Sequence, residues 1–155
     1  HAENSSAFDQ TEAKLPSFWT LPFSEMLLGM QTGIHQRWVV LNQDATSLRD
    51  LLAPGAYVPS SIGRNAWLSL VIGGALQPHC NKEGFNVVDS NGTKLRIGLI
   101  ANNENDCKVT DSRVAFGSTA WGCVSGSTNT CGNVSCYNPG VADSNVKTFG
   151  YIFAR

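Results

Sequence analysis

The sequence predicts an α+β domain: an antiparallel sheet with a few short helices and long disulfide-stapled loops. Three observations predict this class. Short runs rich in β-branched and aromatic residues recur along the chain, turn-forming residues separate them, and all five cysteines lie in its second half. The length of 155 residues suits one domain. We expect a loosely held N-terminal segment over residues 1–14, which are polar and aperiodic, and a single domain over residues 15–155.

Five segments are predicted to be strands because β-branched and aromatic residues dominate them. In chain order they are Arg37–Leu41, Phe85–Val88, Leu95–Ile100, Arg113–Phe116 and the apolar terminal strand Phe149–Phe153. The turn between the second and third contains Asn91-Gly92, a strong hairpin signal. An earlier apolar run, residues 18–30, is interrupted by Pro22. It predicts a short strand or turn followed by a helix or a strand.

Two segments predict short helical elements. Residues 47–53 predict a helix because its leucines fall on one face, with Asp44 or Thr46 as the cap and Pro54-Gly55 as the stop. Residues 64–76 predict a short helix or strand that buries its tryptophan and ends at a Gly-Gly pair.

The charge balance excludes some partners. Charged residues make up 15% of the chain, and its formal net charge is −1. Nucleic-acid affinity depends on clustered cations, so no nucleic-acid partner is expected. No run approaches 18 apolar residues, so we expect no membrane insertion. The surface must be rich in amide and hydroxyl groups, which suit a neutral polyol better than an ion.

The cysteines and sequons indicate an oxidising compartment and a secreted, extracellular protein. The last three cysteines have the spacing C-x7-C-x4-C without a CxxC pair, which favours disulfides over zinc. Sequons at Asn4, Asn91 and Asn133 are expected to carry glycans. The first residue is His1, as expected for a mature secreted chain. The cysteines are Cys80, Cys107, Cys123, Cys131 and Cys136. Their odd number leaves one for an intermolecular bridge or a free thiol.

A loop of about twenty residues, rich in Gly, Ser, Asn and Cys, is predicted between Trp121 and Asp143. Loops of this length are uncommon in compact domains unless they are stapled or functional. Three cysteines inside it would supply the staples.

The densest polar cluster is the segment Asn102–Cys107, followed closely by Asp111. Its oxygen atoms suit a calcium ion, the one cofactor that the residues suggest. They also suit sugar hydroxyls, which need donors and acceptors together. The alternative is a turn tied to its own backbone and clamped by the cysteine. The expected metal ligands are Glu104, Asp106 and Asp111. The expected sugar contacts are Asn102, Asn103, Glu104 and Asn105, with Trp121 and Asn129 from the long loop.

Trp121 is the tryptophan best placed to stack on a sugar, because glycines and the predicted loop flank it. Core packing is the alternative. The other tryptophans, Trp19, Trp38 and Trp67, lie in apolar runs and are expected in the core. Arg64 is expected to be a buried cation paired with an acid of the polar cluster.

Little in the sequence indicates catalysis. The histidines are His1, His35 and His79, and no nucleophile motif surrounds a serine or cysteine. We therefore expect a protein that is not an enzyme. Paired carboxylates for glycoside hydrolysis stay an alternative.

Six segments carry a family resemblance. In chain order they are FSEMLLGM, SIGRNAWLSL, CNKEGFNV, KLRIGLIANNENDC, DSRVAFG and FGYIFAR. Together they resemble the C-terminal domain of fibrinogen-related secreted proteins of marine invertebrates. RIGLIANNENDC and the final strand are also similar to intelectin-type lectins, more distantly. The resemblance implies a fibrinogen C-terminal-like fold and a disulfide between Cys80 and Cys107, with two of the other three cysteines paired.

The resemblance also implies a secreted lectin of the sponge type. Such a protein binds glycans or glycoproteins, here of the galactose or GalNAc type, and agglutinates red cells without performing chemistry. Residues 123–133 lack the His and Glu with which intelectin-like lectins bind calcium and sugar. The upstream half of the usual domain has no counterpart here, so a homo-oligomer is expected to restore avidity. An extracellular-matrix interaction domain and a secreted glycoside hydrolase are the alternatives.

Overall fold

The computed structural model describes residues 10–119, 129–136 and 143–155. About half of these residues lie in strands, and the helices are short. The helices are α1 (Ser17–Thr20), α2 (Leu48–Leu52) and α3 (Arg64–Ser69). The strands are β1 (Phe23–Thr32), β2 (His35–Ala45), β3 (Val58–Pro59), β4 (His79–Val88), β5 (Lys94–Asn102), β6 (Ser112–Thr119), β7 (Cys131–Ser135), β8 (Ser144–Lys147) and β9 (Phe149–Ala154). The predicted α+β class is confirmed in this broad form.

The strands form two antiparallel sheets. One has three strands in the order β2-β1-β9, so the last strand of the chain pairs with the first. The other has six strands, β3 to β8, each beside the next along the chain. None of the described helices is long and apolar enough to cross a membrane.

The main core lies between the sheets. Met26, Leu28 and Met30 of β1 belong to one buried cluster with residues of β5, β6 and the short helices. Alternate β1 residues must then point to the opposite face of the three-stranded sheet. The six-stranded sheet carries a second, smaller buried cluster around Ile100 and Ala115.

Helix α2 begins at a cap that was not predicted. Ser47, rather than Asp44 or Thr46, is the N-cap: it is extended, and its Oγ accepts a 3.0 Å hydrogen bond from the Asp50 backbone N–H. The Thr46 hydroxyl instead donates to the Asp50 carboxylate. The hydroxyl that satisfies the helix N–H group therefore lies one residue nearer to the helix than expected.

The predicted long loop contains a strand. β7 lies inside it and β8 directly follows it. Both were missed because their residues are largely polar, with little apolar pattern. The parts of the loop that hold Trp121 and Cys123 lie outside the described residues.

The disulfide between Cys80 and Cys107 is present, with 5.1 Å between the Cα atoms. Cys131 is not a staple: it opens β7 as a free, half-buried thiol whose pKa is raised by burial. Cys136 is disulfide-bonded, and its partner lies outside the described residues. The long disulfide-stapled loops of the predicted class are thus not seen in the described ranges.

Candidate functional site

The predicted polar turn is hydrogen-bonded to itself. Asn102 is only 2% exposed; its Nδ2 donates to the Asp106 carbonyl at 3.1 Å, and its Oδ1 accepts from the Asn103 N–H at 3.0 Å. Asp106 Oδ1 accepts from the Lys108 N–H at 2.8 Å. Both polar atoms of the Asn102 carboxamide are therefore used within the turn. This is the alternative given above, a turn whose side chains bond to its own backbone.

Asp89 fastens this turn to the β4–β5 hairpin. Its Oδ2 accepts from the N–H and the hydroxyl of Thr110, at 3.0 and 2.7 Å. Its Oδ1 accepts from the N–H groups of Asn91 and Thr93. The polar side chains that stay exposed in the turn are Glu104, Asn105 and Asp106. Glu104 and Asn105 remain predicted sugar contacts.

The three expected calcium ligands are not brought together. Burial, followed by the charge of Glu104, raises the pKa of Asp111. Asp106 instead caps the turn through its backbone bond. Within the described ranges, no group of three His, Cys, Asp or Glu side chains is placed to hold a metal ion. Calcium binding by this turn stays a prediction.

Asn129 is structural rather than ligand-facing. It is 4% exposed, and its Nδ2 donates to the carbonyls of Asn133 and Val146. The backbone carbonyl of Asn129 accepts a hydrogen bond from the Ser118 hydroxyl. Ser118 lies near the C-terminal end of β6, whereas Ser112 begins that strand. Asn129 is therefore separated from the polar turn, which follows the end of β5 that pairs with Ser112.

The sequons differ in accessibility. Asn133 is fully buried, and its Nδ2 donates to the carbonyls of Ala75 and Arg113, so the folded protein leaves no room for a glycan there. Asn91 lies in an exposed turn. Asn4 and Trp121 lie outside the described residues.

Among the residues that the structure describes, Arg64 does not pair with an acid. Its guanidinium donates to the carbonyls of Leu76 and Gln77 and to Asn81 Oδ1. Burial lowers its pKa. The arginine thus links the start of α3 to the segment that follows it through neutral acceptors. The predicted ion pair with an acid of the polar cluster is replaced by these hydrogen bonds.

The tryptophans divide into core and surface. Trp67 is buried as predicted. Trp19 is 48% exposed on α1, contrary to the prediction, because α1 packs with α2 and buries none of its own residues. Trp38 is half-buried, and it lies on the outer face of the three-stranded sheet.

Aromatic rings gather on this outer face. Tyr151 and Trp38 are the cross-strand partners of Gly29, and Phe153 is the partner of Leu27. Gly29 and Leu27 alternate with the core residues of β1, so their partners also point outward. Phe149 follows the same alternation. We call this surface the aromatic face; it consists of Trp38, Phe149, Tyr151 and Phe153.

The rings form one contiguous group. Trp38 lies 5.5 Å from Tyr151 and 6.0 Å from Phe153 between ring centroids, and Phe149 lies 5.1 Å from Tyr151. Gly29 makes this packing possible, because a Cβ there would come within 2.1 Å of Trp38 Cζ3. Tyr151 is covered by its neighbours, whereas Phe153 remains 36% exposed.

A groove of about 260 Å³ lies beside Phe153. Its lining is Glu25, Leu27, Val40, Phe153, Ala154 and Arg155. Arg155 Nε donates to Glu25 Oε1 at 2.7 Å, so the groove lining includes an ion pair between an exposed arginine and a half-buried glutamate. The groove therefore combines an apolar floor with charged donors and acceptors.

A polar border lies beyond the rings on the other side. The Tyr151 hydroxyl donates to Gln31 Oε1 at 2.7 Å, and Gln36 Nε2 donates to the same oxygen at 3.2 Å. Both glutamines are cross-strand neighbours near the β1–β2 turn. The aromatic face thus has hydrogen-bonding groups along both of its borders.

Sequence reasoning missed this face, although a signal was present. The aromatic residues at 149, 151 and 153 recur with a period of two, which places them on one face of a strand. The strand itself was predicted as an apolar terminal strand. Its alternation of aromatic and other residues would have indicated a one-sided aromatic surface.

Comparisons with known proteins find no relative of this chain. No protein-family model, no curated protein and no solved structure matches the chain. Its function is therefore inferred from the geometry of its own residues.

Proposed function

We propose that this protein is a non-catalytic carbohydrate-binding protein, a lectin, and that its sugar ring stacks on the aromatic face. The observation that carries the proposal is the contiguous group of rings with polar borders on the outer face of the three-stranded sheet. The weakly charged composition and the resemblance to secreted lectins also support it. The resemblance further favours galactose or GalNAc-type sugars and a secreted protein.

The chemistry of a sugar matches this surface. The polarised C–H bonds of one pyranose face pack on the negative face of an aromatic ring. Successive outward rows of the sheet lie about 7 Å apart. A ring stacked near Phe153 therefore places its hydroxyls within one row of the Glu25–Arg155 pair, which offers both acceptors and donors.

The groove favours binding over hydrolysis. Glycoside hydrolysis requires two carboxyl groups that flank the scissile bond. Glu25 is the one acidic side chain in the groove lining, and Arg155 already occupies it.

Each site is expected to bind weakly. Hydrogen bonds to sugar replace bonds to water, and each gains only about 0.5–1.5 kcal/mol. Useful avidity then requires a homo-oligomer that presents several sites. Analytical sedimentation at micromolar concentration tests this requirement, and a monomer would contradict it.

The experiment compares variants of the aromatic face and of the polar turn on a glycan array and in haemagglutination. Trp38→Ala and Phe153→Ala are each expected to weaken binding about tenfold, the equivalent of 1.4 kcal/mol. Trp19→Ala is the matched control, because it removes an exposed indole outside the aromatic face. Glu104→Gln with Asn105→Ala tests the polar turn. If the turn variant abolishes binding and Trp38→Ala does not, the site is the turn and the aromatic face is excluded.

A protein-binding role in the extracellular matrix is the second candidate. It is favoured by two exposed aliphatic side chains beside the aromatic face, since Leu27 and Val40 are 36% and 51% exposed. A matrix domain would bind no glycan on the array, and Val40→Ser would then weaken its binding to matrix proteins as much as Trp38→Ala.

A further inference from the structure

The turn between β4 and β5 is open around one peptide bond. Asp89 Oδ1 accepts hydrogen bonds from the backbone N–H groups of Asn91 and Thr93, both at 2.9 Å. The Gly92 N–H between them is not among these donors. Asn91 and Gly92 are both exposed, and beyond its chain neighbours no described atom lies within 4 Å of the place that a Gly92 Cβ would take. The Asn91–Gly92 peptide bond is therefore accessible to the Asn91 side chain and to water.

The two residues have the chemistry for a ring closure. Asn91-Gly92 is the one Asn-Gly pair in the chain. The backbone nitrogen that follows an asparagine can attack the carboxamide carbon, which closes a five-membered ring. Glycine favours this attack because it has no Cβ to obstruct the approach and tolerates unusual backbone angles. Gly92 has a φ of +91°, in the region that glycine adopts readily. The turn therefore combines exposure, the reactive pair and an unobstructed nitrogen.

We propose that Asn91 is a site of spontaneous deamidation through a succinimide ring formed with Gly92. The Gly92 nitrogen gives its proton to water and bonds to Asn91 Cγ, and Nδ2 takes up a proton and leaves as ammonia. Water then opens the ring at either of its two carbonyl carbons. One opening yields aspartate. The other yields isoaspartate, in which the chain continues through the side-chain carbon. Water is the one co-reactant, and no oxidant or reductant is needed.

Isoaspartate would loosen the attachment of the polar turn. It adds one carbon to the chain between residue 91 and Gly92, so the N–H groups on its two sides no longer both match the position of Asp89 Oδ1. Each product also places a new carboxylate beside Asp89, and like charges repel. Asp89 Oδ2 is the atom that holds Thr110, which follows the polar turn. The modification therefore acts on the polar turn from the neighbouring hairpin.

A glycan on Asn91 would prevent this reaction. The sequon Asn91-Gly92-Thr93 attaches its sugar to the same Nδ2 that must leave as ammonia. Ring closure is therefore expected in chains whose Asn91 carries no sugar, and the two modifications exclude each other. The inference does not depend on sugar binding by the aromatic face, which lies on the other sheet.

The test follows the folded protein, produced in a host without N-glycosylation, during storage in mildly alkaline buffer at body temperature. Peptide mapping by mass spectrometry measures conversion at each asparagine, and isoaspartyl methyltransferase measures isoaspartate. Asn91 is expected to convert at least tenfold faster than Asn105, an exposed asparagine that precedes an aspartate, and to yield isoaspartate as well as aspartate. Equal rates at the two positions, or no isoaspartate at residue 91, overturns the proposal.

Two variants locate the reaction. Asn91→Gln lengthens the side chain by one carbon, so ring closure would need a six-membered ring, and isoaspartyl product at residue 91 should be lost. Asn42→Gln, which changes another exposed asparagine, should leave the rate at Asn91 as it is in the wild type. If the signal assigned to residue 91 persists in Asn91→Gln, the assignment is overturned.

Hydrogen exchange tests the consequence for the polar turn. The Thr110 N–H, which bonds to Asp89 Oδ2, is expected to exchange severalfold faster in stored protein than in fresh protein. Stored Asn91→Gln protein should show no such change, and protein with a glycan on Asn91 should keep its slow exchange. Unchanged Thr110 exchange in the isoaspartate form overturns the loosening of the turn. Conversion of glycosylated chains at the rate of bare chains overturns the protection.

Discussion

Trp67 Nε1 donates a 2.7 Å hydrogen bond to Oε2 of Glu83, and this bond fastens helix α3 to strand β4. The same carboxylate accepts from Ser60 Oγ at 2.7 Å and from the N–H groups of Ile62 and Gly63 at 3.2 and 2.9 Å. All four donors are neutral. One half-buried carboxylate therefore organises the chain from residue 60 to residue 67.

Replacing this carboxylate by an amide, Glu83→Gln, is expected to destabilise the protein by about 2–3 kcal/mol. The amide nitrogen would face a donor, which leaves buried polar groups without partners. Urea unfolding measures the loss. Glu12→Gln, at an exposed position, is the control and should change the free energy of unfolding by less than about 0.5 kcal/mol. Equal effects of the two substitutions would contradict the structural role of Glu83.

Gly29→Ala is expected to disturb the aromatic face more than the backbone. The new Cβ would lie 2.1 Å from Trp38 Cζ3, so the indole must move off its position. Sugar binding should fall to about the level of Trp38→Ala in a folded protein, as judged by circular dichroism and the glycan array.

The double variant Gly29→Ala/Trp38→Ala provides the internal control. Because both changes act on the same ring, their effects on binding should be non-additive, with a coupling of about 0.5–3 kcal/mol. Additive effects would show that Gly29 does not act through Trp38.

Glycan occupancy should differ between two sequons. In a host that glycosylates secreted proteins, glycopeptide mass spectrometry should find a glycan on Asn91 and none on Asn133. The reason is that Asn91 is exposed, whereas the Asn133 carboxamide is buried between Ala75 and Arg113. Asn91→Gln should remove the corresponding mass without loss of stability. A glycan on Asn133 in folded protein would contradict the buried position.

Stability should depend on the titration of Asp111. Burial and the nearby charge of Glu104 raise its pKa above 3.8, so the folded state holds this proton more tightly than the unfolded state. The resulting stabilisation is fully present below the unfolded pKa and is lost as the pH rises through the folded pKa. Asp111→Asn should therefore gain stability relative to the wild type as the pH rises across this window. Urea midpoints at a series of pH values measure the difference, and parallel curves would contradict it.

Local patterns were sufficient to predict much of the fold. Strand Arg37–Leu41 lies within β2, Phe85–Val88 within β4, and the hairpin at Asn91-Gly92 joins β4 to β5. Each depends on neighbouring residues, namely β-branched runs and a turn dipeptide. The cap of α2 was missed by one residue, because several hydroxyl and carboxylate side chains precede that helix.

Long-range contacts determine what was missed. β7 is stabilised partly by Asn133, whose carboxamide bonds to Ala75, 58 residues earlier in the chain. The exposure of Trp38 depends on which face of β2 meets the core, and this is decided by its pairing with β1. The polar turn was identified as a cluster, but composition does not reveal that the Asn102 carboxamide bonds to the backbone of Asn103 and Asp106.

The pairing of β9 with β1 joins segments separated by about 120 residues, as in the bond between Tyr151 and Gln31. During synthesis, the strand that starts the three-stranded sheet leaves the ribosome long before the strand that completes it. A nascent chain that ends before Phe149 presents Leu27 and Leu28 without their edge partner. Such an intermediate exposes apolar surface to chaperones, and the three-stranded sheet is completed only after Phe149–Ala154 has been synthesised.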